Sequence, residues 1–87
     1  MPVSSLIVEV VPGKEEEVIQ SLLHIRGVSV ENVENSHLVV VTDTSTLEED
    51  TEVTEKISSV KDVVLTNIVF TNIEDTFIDE SGEFSYE

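Results

Sequence analysis

The groups in this 87-residue chain that could do chemistry are two histidines and 19 acidic side chains, with no cysteine among them. His24 and His37 have no partner at a spacing that makes a base and nucleophile pair or a metal clamp, so each reads as a surface residue. Adjacent carboxylates can share a proton and serve as acid and base. Here, however, Glu15, Glu16 and Glu17, and again Glu48, Glu49 and Asp50, fall where helices should begin. Carboxylates suit the positive end of a helix dipole, so these clusters have a structural task already. The absence of cysteine excludes a thiolate metal site, a thiol nucleophile and a disulfide framework. Neither a catalytic residue nor a metal or cofactor site is expected.

The elements that must position these groups occur twice over. SLIVEVV leads through Pro12-Gly13 and a helical stretch over 14–26 to GVSVENV; HLVVVTD leads through 44–60 to DVVLTNIVF. Two β-α-β units in one small chain predict an α+β fold, a ferredoxin-like βαββαβ sandwich. Its four-stranded antiparallel sheet, in the order 4-1-3-2, would carry two helices on one face. Right-handed crossovers put the first and third strands at the centre, where the doubled unit suggests a parallel pair. The domain should occupy residues 1–73. Residues 74–87, with six acids and no Lys or Arg, should form a disordered tail.

Periodicity assigns the faces. Leu6, Val8 and Val10 point to the helices and Ile7 to the open side. Val18, Ile19, Leu22, Leu23 and Ile25 form the buried stripe of the first helix, which Gly27 terminates. Val28 and Val30 point inward, and Asn35 serves the hairpin turn. In the third strand Leu38 and Val40 go inward if His37 faces water, leaving Val39 and Val41 outside. Ser45 with Glu48, or Thr46 with Glu49, has capping-box spacing for the second helix, whose Val53, Ile57 and Val60 pack inward. The fourth strand is apolar on both faces, and the reading taken is that Thr66, Ile68 and Phe70 share the open one.

Charge narrows the partners. The formal charge is −15, and the tail supplies six of the acids, so residues 1–73 stay near −9. Phosphate backbones and anionic lipid are repelled by such a surface and a cationic peptide is attracted. A nucleic acid partner is therefore not expected. RNA-binding modules of this architecture need basic and aromatic residues on the open sheet face, which here is aliphatic. A lone Gly13 and Lys14 are too few to cradle a phosphate in the first strand-to-helix loop. The N-terminus lacks a basic region, and no stretch approaches the roughly 20 apolar residues of a membrane span. A soluble cytoplasmic protein without membrane insertion is expected.

What remains is an open-face patch: Ile7, Val39, Val41, Ile68 and Phe70, bordered by Ser5, Glu9 and Thr66. Burying five such side chains would yield about 1.5–3 kcal/mol each, against an association cost of roughly 4–15 kcal/mol, which suits a reversible complex. A homodimeric interaction module and a small-ligand regulatory domain of the amino-acid-sensing type are the alternatives.

The segments SSLIVEV, RGVSVENV, HLVVVTD and ISSVKDVVLTNIVFTNIED together resemble the NapD family, over about residues 4–75. The resemblance implies a small cytoplasmic chaperone, not an enzyme, that assists maturation of the periplasmic nitrate reductase. It further implies binding to the twin-arginine signal peptide of the catalytic-subunit precursor, with export restrained until the molybdenum cofactor is loaded. The peptide would then dock on Ser5, Ile7, Glu9, Val39, Val41, Thr66, Ile68 and Phe70. The tail residues Phe77, Ile78, Phe84 and Tyr86 would be placed to compete for the same patch.

Overall fold

Short runs of β-branched residues broken by turn formers build the first layer of the molecule, and the computed structural model describes it over residues 2–73. The order is β1 (Pro2–Val10), α1 (Glu15–Leu22), β2 (Val28–Glu34), β3 (His37–Asp43), α2 (Leu47–Ser58) and β4 (Val63–Ile73). The strands form one sheet in the order β2-β3-β1-β4. This is the ferredoxin-like arrangement. The tail expected over 74–87 lies outside the described residues.

One expectation of direction is corrected. β1 and β3 are both central, but they pair antiparallel, with Ile7 opposite Val39. The crossover through α1 brings β2 back parallel to β1. The tight hairpin at Asn35, with φ 56°, then reverses the chain, so β3 must oppose β1.

The helices are shorter than their apolar periodicity suggests. α1 ends at Leu22, and residues 23–26 continue as turns, with His24 N–H bonded to the Ser21 carbonyl at 3.1 Å. Leu23, read as part of the buried stripe, is therefore 53% exposed. Gly27 follows at φ +85°, and a Cβ there would stand 2.6 Å from the backbone oxygen of Asp43. Only glycine lets β2 enter the sheet so close to β3, where the Asp43 N–H donates to the Gly27 carbonyl at 2.8 Å. At α2 the second capping pair is the one realised: Glu49 N–H donates to Thr46 Oγ1 at 3.1 Å. The Glu49 carboxylate in turn accepts from Ser45 N–H at 2.8 Å.

The core lies between the sheet and the helices. Leu6, Val8, Val10, Leu38 and Val40 meet Val18, Leu22, Val53 and Ile57, all buried, with Ile19, Ile25, Val28, Val30, Val60 and Val63 at the margin. One charged group joins them. Asp50, in the first turn of α2, is buried and accepts from Ser4 Oγ at 2.9 Å and Thr42 Oγ1 at 2.7 Å. Ser4 Oγ also lies 2.9 Å from Thr71 Oγ1, so the network ties α2 to β1, β3 and β4 at one end of the sheet. Hydrogen bonds to a carboxylate are stronger than neutral ones, and the hydroxyls supply what burial takes from Asp50. Sequence periodicity assigned Asp50 only to the helix dipole.

Candidate functional site

Residues directly opposed across an antiparallel ladder point to the same side of the sheet. The register therefore writes out the uncovered face in rows running β2, β3, β1, β4. The first row is Ser29, Val41, Ser5, Phe70; the second is Asn32, Val39, Ile7, Asn67; the third is Glu34, His37, Glu9, Leu65. Beyond Val41, Asp43, Val3 and Asn72 close the far end. On β1 and β3 these residues are half-buried or exposed, whereas their neighbours on the helix side are closed off from solvent. One face is covered by helices and the other is not. Ser5, Ile7, Glu9, Val39, Val41 and Phe70 are brought together as expected.

Thr66 and Ile68 are on the other side. A register shift between Ser5 and Leu6 sets Phe70 opposite Ser5 but Ile68 opposite Leu6, which leaves Val69 as an extra residue in β4. Such a bulge restarts the alternation. Ile68 and Thr66 therefore share the face of Leu6 and Val8, and the buried Thr66 hydroxyl confirms it. In their place Leu65 and Asn67 join the open face. A second shift, between Glu9 and Val10, leaves Val64 extra in the same way. No signal in the local sequence marks either bulge, because TNIVF is apolar at both parities.

The resulting surface is an aliphatic strip with acidic ends. Ile7, Val39, Val41 and the ring of Phe70 occupy the middle rows; Glu9 and Glu34 flank His37 at one end, and Val3 and Asp43 stand at the other. Among the described residues the one ion pair is Lys14 with Glu17 at 3.9 Å, so Glu9, Glu34 and Asp43 have no ion-pair partner there. The described residues contain no group of three or more His, Asp or Glu arranged to hold a metal ion. No described helix is long and apolar enough to cross a membrane. Carboxylates and a histidine separated by strand spacing, beside aliphatic side chains, make a surface that can hold an apolar, cationic segment.

The fold and this face define a small ferredoxin-like α+β protein with an open, acid-rimmed sheet. The family model described as NapD protein matches residues 1–75, and the chain belongs to that family. Two solved structures share the fold. One is the solution structure of the E. coli Tat proofreading chaperone protein NapD, 21% identical, with a TM-score of 0.75 over 98% of this chain and 86% of that one. The other is the crystal structure of a hypothetical protein from Pyrococcus horikoshii, 28% identical, with a TM-score of 0.66 over 84% of this chain and 90% of that one. No curated protein matches the chain.

Proposed function

We propose that the chain is a cytoplasmic maturation chaperone of the Tat pathway that binds the twin-arginine signal peptide of a periplasmic nitrate reductase catalytic-subunit precursor. By holding that peptide it delays export until the molybdenum cofactor is in place. Membership of the NapD family over residues 1–75 carries the reading. The chemistry of the open face supports it.

From Glu9 to Val3 the face runs seven residues along β1, whose six steps cover about 20 Å at 3.3–3.4 Å per residue. That is the length of roughly 13 residues of α-helix, whose diameter of about 10–12 Å spans two to three strand spacings. The apolar region of a signal peptide, about 7–15 residues long, matches this footprint. Docked as a helix, it would set its apolar side on Ile7, Val39, Val41 and Phe70, with Leu65 at the margin. Ser5 and Asn67 would supply hydrogen bonds. Glu9 and Glu34 would meet the guanidinium groups, for which a carboxylate is a bidentate partner. This is capture without chemical conversion of the bound peptide.

The test is an NMR titration of the full chain with a synthetic twin-arginine signal peptide. Shifts should gather on Ile7, Val39, Val41, Asn67 and Phe70. Changes confined to the outer face of α2, at Glu52 and Lys56, would remove the sheet-face site.

A further inference from the structure

The two histidines keep different company. His24 follows α1, its Nδ1 2.8 Å from the Gln20 carbonyl oxygen. His37 opens β3 on the uncovered face, exposed, and the ladder sets it opposite Glu9 of β1 on one flank and Glu34 of β2 on the other. Opposed residues have Cβ atoms about 4.5–5.5 Å apart, so the imidazole stands between two carboxylates whose strands are roughly 10 Å from one another. The row is not a metal clamp: among the described residues no three His, Asp or Glu are grouped to hold an ion. Other charges are turned elsewhere. β4 contributes the uncharged Leu65 to the row. Lys61 and Asp62 come before β4, where the Asp62 carbonyl accepts from Val11 N–H at 2.9 Å. Glu31 accepts from Ser29 Oγ at 2.9 Å, and Asp43 stands at the far end of β3. Lys14 pairs with Glu17, and both helices pack on the opposite face.

We propose that His37 completes the subsite for the peptide's paired arginines between Glu9 and Glu34 and sets its affinity by its own charge, so that capture expels a proton. The inference rests on the peptide-capture function proposed above. Charge complementarity selects the occupant: two carboxylates on strands roughly 10 Å apart match two guanidinium groups on long side chains, each carboxylate accepting one group bidentately. Histidine is the one side chain whose charge ordinarily changes between about pH 5 and 8. Neutral, His37 leaves the row with two negative charges. Protonated, it leaves one and sets a cation where the guanidinium groups must sit. Affinity is therefore full where the imidazole is neutral and falls as the pH drops through its titration. By reciprocity, bound peptide moves that titration to lower pH.

The test is calorimetric titration of the full chain with one N-acetylated twin-arginine signal peptide, from about pH 8 to about pH 5.5, a range in which carboxylic acids ordinarily stay ionised. Affinity should fall about three- to tenfold, the size of one new charge about 7 Å from two guanidinium groups in water. Heats measured at about pH 6.5 in buffers of different ionisation enthalpy should show proton release on binding. His24→Gln should behave as the unaltered chain, whereas His37→Gln should lose both the pH dependence and the proton release. A peptide with both arginines replaced by glutamine should bind without either. In NMR spectra the His37 ring signal should titrate at lower pH once peptide is bound, and the His24 signal at the same pH as before. Measurable affinity that does not change with pH, or a pH dependence that survives His37→Gln, would overturn the inference and leave peptide capture standing. No binding at any pH would overturn both.

Discussion

Phe70 and Ile68 are two residues apart, half-exposed and of similar apolar character, yet the bulge at Val69 puts them on opposite faces of the sheet. Replacing each by alanine therefore separates the open face from the strand itself. Phe70 is 57% exposed, so of the roughly 200 Å² an aromatic side chain can bury, about 110 Å² remain for a partner. At about 25 cal/mol per Å² this is about 2–3 kcal/mol, a loss of peptide affinity of about 30- to 150-fold as an upper estimate. Partial contact brings the expectation to about tenfold. Phe70→Ala should barely change folding stability, because its ring is not part of the core. Ile68→Ala should leave peptide affinity within about twofold, its side chain pointing toward the α2 layer. Calorimetric titration of both variants with one twin-arginine signal peptide, beside urea unfolding of each, makes the comparison. If Ile68→Ala weakens binding as much as Phe70→Ala, the open face is not the docking surface or β4 binds peptide along its edge.

Further expectations concern the frame and the charge. Asp50→Ala should cost about 2–4 kcal/mol in urea unfolding, because it removes two hydrogen bonds to a carboxylate and strands the buried Thr42 hydroxyl, Ser4 keeping Thr71 at 2.9 Å. Gly27→Ala should cost a similar amount, its Cβ meeting the Asp43 carbonyl at 2.6 Å in a backbone conformation with φ +85°. Leu22→Ala, fully buried between α1 and the sheet, should cost about 3–5 kcal/mol, whereas Leu23→Ala should change stability by less than about 1 kcal/mol. Stopped-flow mixing with the peptide should show an association rate that falls steeply between low and physiological salt, with dissociation nearly constant, since the acids of the open face act at long range and the aliphatic strip at contact. A salt-independent association rate would argue against a role for Glu9 and Glu34.

Much of this protein was legible from its chain. Alternation in SLIVEVV placed Leu6, Val8 and Val10 inward and Ile7 outward because a central strand with one covered face permits no other phase. Pro12-Gly13, Gly27 and Asn35 marked the turns because each position demands a backbone conformation few residues adopt. The same logic gave the doubled β-α-β plan and, with it, the strand order and the open face. In β3 the reading with His37 outside, which leaves Val39 and Val41 on the open side, agrees with the register.

Three features were settled only by tertiary structure. The antiparallel β1–β3 pair follows from how the crossover and hairpin reverse the chain, which a repeated pattern does not display. The buried role of Asp50 exists because Ser4 and Thr42, 46 and 8 residues away in sequence, converge on it. The faces of β4 depend on two bulges, and a bulge belongs to the ladder between two strands. A strand apolar on both sides has no local preference for either phase. β1, which it pairs with, makes the choice, and so Phe70, Asn67 and Leu65 lie on the open face while Ile68 and Thr66 turn toward the helices.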